Sequence, residues 1–190
     1  PIIWRGRAIP TATITIACKE SLTSIIDACA SLTDQTLQED ILRKVYELIP
    51  LVIPEPEVRI HVLCSLAESY GKIGDLQKAE EIFDEALKLA PGIEKEGEFV
   101  SCLMTIIDKA SKINLLNRFY EEVLKLVSEL THLPNYVSLF SSMAVRYWRT
   151  NDRSSAYSML EEAWKFLLRS PVEFFAGNLK TIVGVCEEIN

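Results

Sequence analysis

Histidine is scarce in this chain, with only His61 and His132, and neither belongs to a zinc-binding or triad-like signature. There is no G-x-G-x-x-G, no phosphate loop and no G-x-S-x-G, so the common nucleotide-binding and serine-hydrolase motifs are missing. No uninterrupted apolar run approaches the ~20 residues that a membrane helix needs. The five cysteines, Cys18, Cys29, Cys64, Cys102 and Cys186, are isolated, odd in number and without a C-x-x-C pair. Each sits in a helical pattern where a small apolar residue serves. Free thiols of this kind suit a reducing compartment, so the expectation is a cytoplasmic protein without metal or cofactor.

Basic charge is also in deficit. The formal net charge is −7, which repels a phosphate backbone unless basic residues are segregated on one face. Residues 137–171 do lean basic, through Arg146, Arg149, Arg153, Lys165 and Arg169 against Asp152, Glu161 and Glu162. That excess keeps an RNA-associated role as the alternative reading. Glu80-Glu81, Glu121-Glu122 and Glu161-Glu162 recur at similar places, but adjacent helical residues point about 100° apart and do not face each other. They read as solvated surface near helix starts, where acid suits the dipole. No catalytic residue is expected, and an enzyme is not.

Apolar residues make up 48% of the 190, enough for one domain with a substantial core. Glycine occurs only seven times, and the prolines cluster at Pro50 (with Pro54 and Pro56), Pro91, Pro134 and Pro171. Proline is frequent just past helix ends, so these residues divide the chain into segments of roughly forty residues, each room for two helices and a turn. A fixed period of ~20–50 residues marks solenoid architectures.

Within the segments apolar residues follow helical spacing. Leu63, Leu66, Ala67 and Tyr70 are followed by Gly74-Asp75, then by Ala79, Phe83, Ala86 and Leu87, then by Pro91. The pattern predicts a helix, a tight turn with a capping aspartate, and a second helix. From Val137 the same frame meets Phe140, Met143, Ala144 and Tyr147, then Asn151-Asp152, then Ala156, Leu160 and Ala163. From Val100 it meets Leu103, Ile106, Ile107 and Ala110, then Asn114, then Phe119, Val123 and Leu126. In that unit Ala110 stands where Tyr70 does and Phe119 where Ala79 does, an exchange able to conserve packed volume. From Leu22 the match is weaker, through Ile25, Ala28, Cys29, Leu32, Ile41, Val45 and Leu48.

The stretch 61–91 resembles a tetratricopeptide repeat, whose pattern of a bulky residue, Leu, Gly/Ala, Tyr, Ala, Phe/Tyr, Ala and Pro is filled in register. The resemblance implies an all-α fold, a right-handed α-α superhelix of antiparallel helix pairs. Repeats are expected near 22–59, 60–99, 100–136 and 137–175, with a closing helix at 176–190. HEAT-type and other helical-pair solenoids share this periodicity. Residues 1–21 are set apart as an N-terminal arm or the remnant of a missing segment. Within them, 1–17 read as an extended arm, the tail of a preceding repeat or the start of the first helix, with nothing in the sequence to choose. Because the first residue is Pro1 and not Met, a natural start upstream is expected.

The family resemblance also implies a role and a site: a protein- or peptide-binding adaptor or scaffold using the concave face lined by first helices. The lining positions fall on Glu68, Lys72, Met104, Asp108, Lys112, Ser141, Trp148 and Arg149. Trp148 beside Arg149 stands out, because tryptophan and arginine are enriched at binding hot spots; packing of Trp148 on a neighbouring helix is the competing explanation. Repeats of this family that grip chaperone tails use a lysine and an asparagine one turn apart. Cys64 and Glu68, Met104 and Asp108, and Ser141 and Val145 stand there instead, so that carboxylate clamp is not expected. The identity of the protein partner and the oligomeric state are not readable. The cysteine reading generates one direct expectation: titration of the chain, unfolded without reductant, finds all five thiols free, and two missing thiols would overturn it.

Overall fold

The computed structural model describes residues 2–4, 7–9, 11–127 and 133–188. Two three-residue strands, β1 (Ile2–Trp4) and β2 (Arg7–Ile9), pair antiparallel with Ile3 opposite Ala8. Every later element among the described residues is helical. Nine α-helices occur among the described residues: α1 (Thr11–Cys29), α2 (Gln35–Val52), α3 (Pro56–Lys72), α4 (Leu76–Leu89), α5 (Glu96–Lys112), α6 (Leu116–Val127), α7 (Leu133–Arg149), α8 (Arg153–Arg169) and α9 (Val172–Glu188). The fold is all-α. The stretch 1–21, set apart in the sequence as an arm, is divided here, because α1 begins at Thr11.

The turns inside three helix pairs share one geometry. Gly74, Asn114 and Asn151 adopt left-handed backbone conformations, with φ of 92°, 61° and 63°. In each case the next residue's N–H returns to a carbonyl five residues back: Asp75 to Tyr70, Leu115 to Ala110 and Asp152 to Tyr147, at 2.9–3.0 Å. These bonds satisfy carbonyls that a helix end otherwise leaves unpaired, and glycine or asparagine accepts the positive φ. Asp75 and Asp152 then cap α4 and α8 by accepting from the Lys78 and Ser155 N–H groups. The first pair turns differently. Gln38, at the place of Ala79, donates from Nε2 to the carbonyls of Cys29 and Leu32, so a long amide side chain closes the α1–α2 turn.

Three of the prolines, Pro50, Pro56 and Pro134, depart from their expected role as stops. Pro50 lies inside the last turns of α2, which continues to Val52. Pro134 is the second residue of α7, a first-turn place where the missing N–H costs nothing. Pro56 opens α3 in the same way. Pro91 and Pro171 do lie between helices, at α4–α5 and α8–α9.

Each odd-numbered helix packs against the even-numbered helix after it, and also against the next odd-numbered helix: α1 on α3, α3 on α5, α5 on α7, and α7 on α9. Between the even helices, Phe83 of α4 meets Phe119 of α6 with centroids 5.3 Å apart. Tyr46 of α2 donates to Glu85 Oε2 of α4 at 2.6 Å, a bond that pushes the phenol up to about 12. One continuous core results, with Leu66, Ala67, Ala79, Phe83, Ala86, Ile106 and Ala144 wholly buried. In the third unit Ala110 and Phe119 are both buried. Gly71 is needed for close approach: a Cβ there would lie 2.5 Å from Ile113 Cδ1 of the α5 C-cap.

Ala79→Leu is therefore expected to overpack the α3–α4 contact and to cost roughly 1–3 kcal/mol. Lys78 is an unsuitable silent neighbour, because its ammonium pairs with Glu81 at 2.9 Å and sits 4.9 Å from the Tyr46 ring centroid. The exposed Gln77 is the better control. Equal melting temperatures for Ala79→Leu and Gln77→Leu would show that the packing frame is misplaced.

Candidate functional site

The eight residues singled out in the sequence lie on α3, α5 and α7, three helices that pack side by side. Their charges form a ladder. Glu68 of α3 is buried and holds two ammonium groups: Lys72 Nζ one turn on, and Lys109 Nζ of α5 at 2.6 Å from Oε2. Asp108 of α5 repeats the arrangement, with Lys112 Nζ at 3.0 Å and Arg146 Nη2 of α7 at 2.9 Å. Arg149 of α7 pairs with Glu188 of α9. Each rung joins residues 38 to 41 positions apart in sequence, so each ties one odd helix to the next. His61 Nδ1 of α3 and Thr105 Oγ1 of α5 add a polar contact at 3.1 Å.

Burial alone would raise the Glu68 carboxyl, but hydrogen bonds from Lys109 and Lys72 outweigh it and hold the group below the usual glutamate range. Asp108 follows the same logic, with burial opposed chiefly by Lys112 and Arg146. Arg146 also donates from Nη1 to the Ser142 carbonyl at 2.9 Å, so its guanidinium is committed to structure.

These pairings change which of the eight residues face outward. Glu68 and Ser141 are buried, and the Ser141 hydroxyl has no hydrogen-bond partner among the described residues. Met104 is half-buried against the core. Trp148 packs on the core too, edge-on to Tyr157 of α8 at 6.1 Å, with the Arg153 guanidinium 5.0 Å from its ring centroid. Asp108 is engaged from both sides. Lys72, Lys112 and Arg149 remain exposed, in the last turns of α3, α5 and α7. They lie 40 and 37 residues apart, the same spacing as Gly74, Asn114 and Asn151.

Sequence reading did not pick out Lys109, Arg146 and Glu188 as rungs. Acid and base at a separation near forty was the available signal, visible once the period is known. The basic excess of 137–171 is largely internal: Arg146 and Arg149 are paired, Lys165 meets Glu161 and Glu162, and Arg153 covers Trp148. Cys29, Cys64 and Cys102 are buried thiols, and burial pushes Cys102 up to about 11. Among the described residues, which exclude His132, no three of His, Cys, Asp and Glu are grouped to hold a metal ion. No helix among them is long and apolar enough to cross a membrane.

Comparison of the chain with protein-family models, curated proteins and solved structures found no match.

The ladder makes stability depend on pH. Glu68 and Asp108 have folded pKa values depressed below their ordinary ones, so unfolding takes up protons as pH falls. Their contribution is complete above the ordinary carboxylate range of about 4 and is lost progressively below it. Glu68→Gln should lower stability at pH 7 by roughly 1–3 kcal/mol, the scale for charged hydrogen bonds with a buried member. The same variant should lose less on acidification from pH 6 to pH 3 than the parent chain. Parallel melting-temperature profiles for the two would contradict this role.

Proposed function

We propose that the chain is a tetratricopeptide-like right-handed α-α superhelix that acts as an adaptor, binding a protein or peptide across its odd-numbered helices. The pairwise packing of α1 to α9 and the three recurrent left-handed turns support the solenoid arrangement. The row Lys72, Lys112, Arg149 carries the functional reading, since it places exposed cations at one repeat position on three adjacent helices. Each already pairs with one acid of the ladder, Lys72 with Glu68, Lys112 with Asp108 and Arg149 with Glu188, and as an exposed cation keeps further N–H donors open to solvent. A bound segment would therefore meet these cations with carboxylates or backbone carbonyls, and the half-buried Met104 and Trp148 with an apolar side chain.

An RNA-associated role is less well supported. Three exposed cations in a chain of net charge −7 are few, and most of the basic excess in the fourth unit is internally paired.

The test is capture of a partner from source lysate on immobilised chain, then affinity measurement with that partner. Lys112→Ala and Arg149→Ala are each expected to weaken binding by on the order of 1–2 kcal/mol if they act as hot spots. Glu81→Lys and Glu162→Lys, on even-numbered helices, should leave affinity almost unchanged. Loss of binding in the second set alone would place the partner on the opposite face.

A further inference from the structure

The first helix pair is joined differently from the others, and the difference leaves space. The helix α3 runs to Lys72, three residues before the capping Asp75, whereas α1 stops at Cys29, five residues before Asp34, the cap of α2. One unit on, the end of an odd helix is closed by its successor: Ile113, the α5 C-cap, lies on Gly71 with no room for a Cβ. The equivalents at the first pair are Ala30, four residues before its capping aspartate as Gly71 is, and Ile73, the α3 C-cap. These two do not close. Both line a cavity of about 300 Å³ between the α1–α2 turn and the last turn of α3.

The wall of the cavity is mixed. Buried Leu42 of α2 joins Ile73 and Ala30 as apolar surface. Ser69 of α3 is only 7% exposed, and its hydroxyl makes no hydrogen bond among the described residues. Gln38 is 8% exposed and spends its Nε2 group on the Cys29 and Leu32 carbonyls, while its Oε1 receives no donor among the described residues. Turning that amide over would strip the two carbonyls of their donor, so the free oxygen is fixed in place. Lys72, one turn past Ser69, is the only charged residue among those lining the cavity. Neither sign of charge dominates around it: Glu68 is matched by Lys72 and Lys109, and Asp34 accepts from the Leu37 N–H.

Water alone fills such a space poorly. A water molecule takes roughly 30 Å³ and needs about two to four polar partners. One molecule satisfies Ser69 and Gln38, and the rest of the volume faces hydrocarbon. We infer that the cavity is a binding site for a small, uncharged aliphatic amide. The ligand's N–H donates to Gln38 Oε1, its carbonyl accepts from the Ser69 hydroxyl, and its hydrocarbon part covers Leu42 and Ile73. A free lactam and a leucine-like residue of a peptide carry the same chemistry. The site goes beyond the adaptor reading and shares only Lys72, at its rim, with the row of cations.

The probes are N-acetyl-leucine N-methylamide and ε-caprolactam, each titrated against the full chain by saturation-transfer NMR. Saturable binding in the millimolar range is expected, as suits ligands of this size. Tighter binding of the leucine derivative assigns the site to a peptide residue, and tighter binding of the lactam to a free cyclic amide. Ser69→Ala, and full N-methylation of whichever probe binds, should each weaken binding roughly three- to tenfold by removing one hydrogen bond. Ser69→Leu fills the cavity and should abolish binding without lowering the melting temperature; Ala30→Leu, in the exposed turn, is a second filling variant should the first not fold. Lys112→Ala should leave probe binding unchanged, so failure of the cation row and failure of this site are told apart. Absence of saturable binding by both probes would mean a water-filled gap only and overturn the inference, as would binding indifferent to Ser69→Ala and to the filling variants.

Discussion

A carboxylate taken out of water must be matched by charge, or it will not stay ionised. Glu68 meets that demand with one ammonium from its own helix and one from the next, and the partly exposed Asp108 is paired in the same pattern one unit later, with Lys112 and the Arg146 guanidinium. The consequence is positional. Apolar packing brings α3 and α5 together but tolerates sliding along their axes, whereas an ion pair at hydrogen-bonding distance does not. Fixing α5 along α3, and α7 along α5, aligns the last turns of three helices, so that Lys72, Lys112 and Arg149 fall in one row. The candidate site is thus a by-product of the charges that hold the stack in register.

The same ladder explains why so much of the predicted site turns inward. Positions on the facing side of first helices are also the positions where consecutive first helices meet. In a tightly packed stack a side chain there can be spent on the neighbour. Glu68 is buried in that way, and Trp148 is held between the core, Tyr157 and Arg153. What is left to solvent is the outer end of each helix, where long cationic side chains can reach past the contact.

Local signals made the helix pairs legible in the sequence. Tyr70, Gly74-Asp75 and Ala79, with their counterparts Tyr147, Asn151-Asp152 and Ala156, depend on backbone and spacing within one unit. The burial of Ala110 and Phe119 was legible for the same reason. Less visible were features decided between units or by a single side chain. Pro50 inside α2 contradicts a rule about helix ends, and Gln38 closes a turn from a place where the pattern asks for alanine. The rungs Lys109, Arg146 and Glu188 depend on which helix lies alongside, which the sequence of one unit does not contain.

The central claim is that α3 and α5 are locked together through Glu68 and Lys109, and a double-mutant cycle on that pair tests it most directly. Stabilities of the parent chain, Glu68→Gln, Lys109→Met and the double variant give the coupling between two residues 41 positions apart. The account predicts a favourable coupling above the roughly 0.3–0.5 kcal/mol within which distant sites are additive, and smaller at pH 3 than at pH 7. Strict additivity at pH 7 would mean that the two helices are not held together at this point, and the ladder and the row it aligns would both be wrong.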